Sequence, residues 1–403
     1  MHAKSLKCVS CHSEYPLTPI YECKECGGIL NVTFGYEDSI TEELKKNKKA
    51  ANKAELLPVK PECIVSIGEG NTPLVKAEKL ARRMSINKLL LKCEFCNPTG
   101  SFKDRPVGIG ISKAIEFGYK KVVVASSGNG AAAVAAFAAK AGLEALIFVP
   151  EATPPEKIKQ AAFYGARVIR VEGTYSNCFR LAKEVSSSTG VFNLTTTFIN
   201  PYTVEGDKIV AYELFEQMDG AIPDAIYVPI GAGPLLVGIF KGYEELKSFG
   251  VIDKLPKMVG VQAEGCSPIA KAYLAGKQEV ESEDNPSTIA GGICDGLTGY
   301  SKDGTYVLNT IKRSGGFAIY CDDSSISEAQ RWLAADEGAF VEPSSAAAVA
   351  AIQKSLNENN IGKGENVVAL LTGHGLKDMG NVKLSVDVPT VPNDLSKLVE
   401  LIG

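Results

Sequence analysis

The 403-residue chain predicts an α/β protein built on parallel sheets. Three observations carry the prediction. Apolar runs of five or six residues recur along the chain, most of them closed by a Gly-rich turn. Segments of helical periodicity lie between them. The runs are apolar throughout instead of alternating, as strands covered by helices on both faces are. The length suggests two or three domains.

Taken in order, residues 36–52 read as a polar surface helix, and the run Lys45 to Lys49 (KKNKK) as its solvated face. Pro58, Pro61 and the turn Gly68-Glu69-Gly70 form a linker into the main body. Lys88 to Lys92 (KLLLK) reads as a strand and Val107 to Phe117 as a helix. Further strands are expected at Lys121 to Ala125, Ala145 to Val149, Arg167 to Val171, Ala225 to Pro229, Met258 to Gln262 and Asn366 to Leu371. Helices at 131–140 and 235–247 alternate with them. Leu395, Leu398, Val399 and Ile402 recur at helical spacing, which predicts a C-terminal docking helix.

Composition excludes several classes. The chain is 45% hydrophobic and 22% charged with a net charge of −4, so it offers no broad positive field for nucleic acid. No segment reads as a signal peptide or a membrane span: the Ala-rich stretch 131–139 is short and stops at Lys140. A cytoplasmic protein is expected. In that setting its 11 cysteines read as thiols or metal ligands before disulfides. Cys8, Cys11, Cys23 and Cys26 form C-x2-C-x11-C-x2-C, two knuckles able to wrap four thiolates around zinc and to hold together a segment too small for its own core. A ribbon without metal is the alternative. Four cysteines leave no open coordination position, so the expected site is structural. Cys93 and Cys96 are expected to be buried thiols beside the functional site.

In open parallel sheets ligands sit beyond the carboxyl ends of the strands, and four turns there are unusual. The first, Asn97-Pro-Thr-Gly-Ser-Phe-Lys103-Asp-Arg105, places Lys103 at a helix start. The positive end of the helix dipole favours its neutral amine, which can condense with an aldehyde. The second, Ser126-Ser127-Gly128-Asn129-Gly130, can cradle a carboxylate on backbone amides, with the Asn129 amide free for a hydroxyl or phenolate. The third, Gly231-Ala232-Gly233-Pro234-Leu235, can hold a phosphate at a helix N-terminus. It lacks the third glycine and the distant acidic residue of a dinucleotide fingerprint, so a phosphate monoester is the better guest. The fourth, Thr372-Gly-His374-Gly-Leu-Lys-Asp378, offers a hydroxyl at a strand end. His374 reads more readily as a structural hydrogen-bonder than as an acid or base.

One cofactor satisfies all four turns. Pyridoxal 5′-phosphate needs an amine for its aldehyde, a partner for its 3′-oxygen, a phosphate cradle and a neighbour for its ring nitrogen. The segments NPTGSFKDR, SSGN, GEGNTPL (68–74), NPYTVEG (200–206), VGVQAEG (259–265), EGAFVEPSSAAA (337–348) and TGHGLKD resemble the β-family, fold-type II pyridoxal-phosphate enzymes, and among them the threonine synthases, cysteine-rich extension included.

The resemblance implies a tryptophan synthase β-like architecture. A zinc-ribbon-like segment at 1–35 would precede a large cofactor-binding domain at 36–105 and 204–385. A small domain would lie at 106–203 and a docking helix at 386–403. It implies Lys103 as the Schiff-base lysine and proton shuttle, beside Phe102. Asn129 would face the 3′-oxygen, and Gly231, Ala232 and Gly233, with Pro234 and the Leu235 amide, the phosphate. Thr372 would face the ring nitrogen; Ser126, Ser127 and Gly128, followed by Gly130, would take the substrate carboxylate. It implies a small amino-acid substrate, O-phosphohomoserine, converted with water to threonine and phosphate, and a homodimer.

The chain departs from that pattern at Thr203, where a basic residue usually follows Asn-Pro-x, at Gly130 and in the GAGP loop. Thr288 to Ile293 looks more like the dehydratases. β-Elimination or β-replacement on a serine-, threonine- or phosphoserine-like substrate therefore stands as the alternative, with a non-catalytic zinc-ribbon interaction protein behind it.

Overall fold

The computed structural model describes residues 2–49, 53–382 and 388–402. The first strands, β1 (Ala3–Cys8), β2 (Glu14–Tyr15) and β3 (Leu30–Phe34), form an antiparallel sheet in the order β2-β1-β3. They are followed by β4 (Leu74–Lys76), β5 (Lys88–Lys92), β6 (Lys121–Ala125), β7 (Glu144–Pro150), β8 (Arg167–Val171), β9 (Phe192–Asn193), β10 (Ala225–Pro229), β11 (Lys257–Ala263), β12 (Phe317–Cys321) and β13 (Asn366–Leu370). Strands β6 to β9 make a parallel four-stranded sheet, β8-β7-β6-β9. The rest make a six-stranded sheet, β12-β11-β10-β13-β5-β4, parallel except for β4 at its edge.

All the strands expected from apolar runs are present. Those missed are β1 to β4, β9 and β12. In β4 the side chains of Val75 and Lys76 are exposed, so no apolar run marks it; β9 is two residues long. Strand β10, and β13 after Asn366, are buried throughout, since helices cover the large sheet on both faces.

The helices that position the site cross at small residues. A Cβ on Gly206, in helix Val204–Gln217, would lie 2.2 Å from the Arg105 carbonyl of helix Asp104–Glu116. One on Gly238, in helix Pro234–Ser248, would lie 2.6 Å from the Asp207 Cβ. Backbone contact at these crossings draws three helix N-termini together over the carboxyl edge of the sheets.

Two expectations change. The helix expected at 36–52 spans Asp38–Asn47 and ends at Lys48 in the left-handed conformation; residues 50–52 lie outside the described residues. The tail forms a helix, Leu395–Ile402, but none of its residues is buried: Leu395 is 76% and Ile402 74% exposed. Among the described residues nothing covers its apolar stripe. The boundary expected between 385 and 386 lies outside the described residues.

Candidate active site

The four turns converge on one cavity of about 730 Å³. It is lined by Phe102 and Lys103, by Ser126 through Gly130, by Gly231 through Leu235, and by Thr372. A larger cavity, about 850 Å³, lies between the N-terminal sheet and the body beside Lys7, Asn31, Lys241 and Arg313. Its deeper cations are already taken: Lys241 donates to the Val32 carbonyl and pairs with Glu205, and Arg313 pairs with Glu244.

Lys103 caps helix Asp104–Glu116, and its loop is stitched to the Thr372 loop. The Phe102 amide donates to the Thr372 carbonyl at 2.9 Å, and the His374 amide to the Gly100 carbonyl at 2.9 Å. Asp104 accepts from the Thr99 amide (2.7 Å) and hydroxyl (2.5 Å), closing the turn. Beneath it lies a buried ion network. Arg105 bonds Glu94 through Nε at 2.6 Å and Nη2 at 2.8 Å, and Glu213 through Nη2 at 2.7 Å. Lys92 reaches Glu213 at 2.7 Å. Two cations face two carboxylates, so no charge is left over. Burial pushes the Glu213 carboxyl up, but Arg105 and Lys92 outweigh it and hold it well below the usual range. Such a network costs several kcal/mol if one member is removed, and it anchors the residue beside Lys103.

The Lys103 Nζ donates to the Thr196 hydroxyl at 2.8 Å. Burial lowers its pKa, opposed by the charges of Asp207, Asp295 and Glu342. Burial thus favours the neutral amine, where sequence alone pointed to the helix dipole.

Gly233 caps helix Pro234–Ser248 at φ 87°, and a Cβ there would come within 2.5 Å of Val307. Both conditions require glycine, which opens the amides of this helix start to an anion. The Thr372 hydroxyl lies 3.2 Å from that of Ser345. The Gly128 amide donates to Ser126 Oγ at 3.3 Å. Asn129 begins helix Asn129–Ala141, and its side-chain amide donates to both oxygens of Glu342 at 3.2 and 3.1 Å.

The residues present fit pyridoxal phosphate. A half-buried amine of lowered pKa, an anion cradle at a glycine-capped helix start, an amide donor and a neutral hydroxyl share one cavity of suitable size.

His374 behaves structurally: its Nδ1 accepts from the Leu376 amide at 3.1 Å, and its ring meets Phe95 and Phe340 edge-on. Cys93 is buried and burial pushes its thiol up to about 12, but Cys96 is exposed. Neither lines the cavity, which corrects the expectation of two buried thiols beside the site; one turn of 3-10 helix, Glu94–Cys96, points Cys96 outward.

Sequence reasoning missed Thr196, Asp207, Asp295 and Glu342, all in the cavity wall. Glu342 lay inside the quoted EPSSAAA segment and Asp207 one residue beyond NPYTVEG, so both were marked by position. Burial pushes Glu342 up to about 7 and Asp207 to about 8, the latter opposed by Lys103 and Arg105.

The four N-terminal cysteine sulfurs lie within 4.8 Å of one another. The Ser10 amide donates to the Cys8 sulfur at 3.4 Å, and Tyr15 Oη lies 3.2 Å from that of Cys23. Among the described residues no helix is long and apolar enough to cross a membrane.

Residues 65–373 match the family model described as pyridoxal-phosphate dependent enzyme. The chain is 40% identical to a threonine synthase of Methanosarcina acetivorans over 96% of this chain and 95% of that one. It is 38% identical to a threonine synthase of Methanocaldococcus jannaschii over 92% of each. The processed form of threonine deaminase isoform 2 from Solanum lycopersicum shares the fold, with a TM-score of 0.65 at 22% identity over 91% of this chain and 93% of that one. With a lysine, an anion cradle and a hydroxyl meeting in one cavity, and with this likeness along nearly the whole sequence, the chain belongs to the pyridoxal-phosphate dependent enzymes and, among them, to the threonine synthases.

Proposed function

We infer that this enzyme converts O-phosphohomoserine and water to threonine and phosphate. The observation that carries the reading is Lys103, a half-buried amine in the cavity wall, in a chain 40% identical to a threonine synthase over 96% of its length. When bound, pyridoxal phosphate supplies an electron sink for charge developing beside the substrate amine.

The chain's own residues supply the rest. The amides opening helix Pro234–Ser248, freed by Gly231 and Gly233, would hold the cofactor phosphate, and Asn129 its 3′-oxygen. Thr372, supported by Ser345, would face the ring nitrogen; a neutral hydroxyl there leaves the ring a weaker sink than a carboxylate would, which suits elimination and replacement better than transamination. Ser126, Ser127 and Gly128 would orient the substrate carboxylate at the start of helix Asn129–Ala141. Lys103, whose neutral form desolvation favours, would take a proton from the substrate and return it, a step worth about 10²–10⁴-fold.

The Thr203 hydroxyl donates to the Asn200 carbonyl at 2.9 Å and offers no charge to a substrate phosphate. Lys157, which lines the cavity without an ion-pair partner among the described residues, would take that role.

We further propose that Cys8, Cys11, Cys23 and Cys26 hold one structural zinc. Tetrahedral thiolates about 2.3 Å from an ion stand roughly 3.8 Å apart, and the separations of 3.5 Å between the Cys8 and Cys26 sulfurs and 3.4 Å between those of Cys11 and Cys23 support it. The exposed apolar helix Leu395–Ile402 supports a homodimer, and the composition supports a cytoplasmic location.

A substrate panel tests the main reading. Release of phosphate with threonine from O-phosphohomoserine is expected, together with visible cofactor absorbance that Lys103→Ala abolishes. Keto-acid formation from serine or threonine without phosphate release would put β-elimination in its place.

A further inference from the structure

We propose that Asp207 is a positioning residue: its carboxylate holds Lys103 inside the cavity whenever the lysine carries the extra proton. The proposal rests on the reading of Lys103 as the cofactor-bearing lysine.

Asp207 sits in the first turn of helix Val204–Gln217, is 1% exposed and lines the cavity. Neither of its oxygens has a hydrogen-bond partner among the described residues. It cannot withdraw, because its Cβ is backed against Gly238, where any side chain would come within 2.6 Å of it. A buried carboxylate with no donor is costly. A carboxylate fixed in that state at a cavity wall calls for a donor from the cavity side.

The charged groups around it narrow the choice. Arg105 is committed to Glu94 and Glu213. Lys208, one residue on, is paired with Glu205 and Glu245. Lys103 remains, with only the neutral Thr196 hydroxyl as acceptor. An ammonium brings three hydrogens and thus needs further acceptors. Of the three carboxylates whose charge acts on Lys103, two already hold donors: Asp295 accepts at Oδ1 from the Leu297 amide at 3.0 Å and the Tyr300 hydroxyl at 2.6 Å, and Glu342 accepts from Asn129 at both oxygens. Among the described residues Asp207 alone of the three has no donor at either oxygen, and its charge is the first of the three to act on Lys103. Lys103 therefore has two seats, the Thr196 hydroxyl for the amine and the Asp207 carboxylate for the ammonium.

The test is made on the full-length apoprotein, measuring the rate at which Lys103 is carbamylated by cyanate across the pH range, read by mass spectrometry of its peptide. Removing the negative charge with Asp207→Asn should move the midpoint down by about one pH unit, while Asp207→Glu should leave it near the original. A midpoint unmoved in a folded Asn variant overturns the proposal. The unaltered chain gives an independent reading if that variant does not fold. Because the lysine and the carboxylate titrate as one interacting pair, its profile should show two inflections, and a single one at the ordinary lysine value overturns the proposal equally. The two levels separate cleanly. If Lys103 is not the cofactor lysine, Lys103→Ala keeps the cofactor absorbance; if only the Asp207 inference fails, that absorbance is lost as expected while the labelling profile of the Asn variant stays put.

Discussion

The Phe102 amide donates to the Thr372 carbonyl at 2.9 Å, joining residues 270 positions apart in sequence at the one place where amine and hydroxyl must face the same ligand. An isolated antiparallel bridge between Ser101 and Gly373 adds a second link between the two loops, which follow the neighbouring parallel strands β5 and β13. The lysine loop is thereby as rigid as the sheet edge that carries it, and the consequences can be measured.

Gly233 should not tolerate a side chain. At φ 87° an alanine costs about 1–2 kcal/mol, and its Cβ would in addition meet Val307 at 2.5 Å. Gly233→Ala is expected to weaken pyridoxal phosphate binding at least tenfold and to lower the melting temperature. Unchanged affinity in a titration of the apoprotein would remove Gly233 from the phosphate cradle.

Lys157 should govern the phosphorylated substrate. Its Nζ lies 3.8 Å from where a Gly291 Cβ would stand, at the cavity wall. A charge-assisted hydrogen bond is worth about 1.5–3 kcal/mol, so Lys157→Gln should raise KM for O-phosphohomoserine roughly tenfold or more with little change in kcat. Steady-state kinetics showing KM unaltered would place the phosphate elsewhere.

Stability of the apoprotein should fall as pH rises from mildly acidic toward alkaline. Burial raises Asp303 and Glu342 to about 7 each. Across roughly pH 4 to 7 the folded chain binds protons that the unfolded chain has released, so these groups stabilise at low pH and lose that contribution as pH rises through their folded values. Glu213 works in the opposite sense, but its contribution is lost only as pH falls below the usual carboxylate range. The unfolding free energy from urea titration should therefore be higher near pH 5.5 than near pH 8, by about 1 kcal/mol or more. A flat or rising profile in that window would contradict the burial of these carboxylates.

Removing the metal proposed at the N-terminus should loosen that segment alone. A chelator is expected to raise amide exchange across Ala3–Phe34 while cofactor absorbance stays constant, since none of the four cysteines lines the cavity. Loss of colour in step with the ion would give the cysteines a role at the active site.

Much of this was legible in one dimension. The apolar runs of β5, β6, β10 and β13 declare themselves because a strand buried on both faces has no polar face to show. The turns after them carry glycines, hydroxyls and an amine whose chemistry is local, and so Lys103, Asn129, Gly233 and Thr372 could be named as candidates before any fold was known. Edge strand β4 was not legible, because half of it faces solvent.

The sequence by itself determined the parallel α/β plan, the ligand-bearing turns and the four-cysteine knuckle, since each is written in residues adjacent along the chain. Only the tertiary structure decided which side chains from distant elements face Lys103. Thr196, Asp207, Asp295 and Glu342 come from four separate segments, and their charge states follow from burial beside one another. It likewise decided that the Leu395–Ile402 helix stays exposed and that Cys96 turns away. Periodicity tells a side chain which face of its own element it shares; what stands opposite that face, and how little water remains between them, is a property of the packed chain.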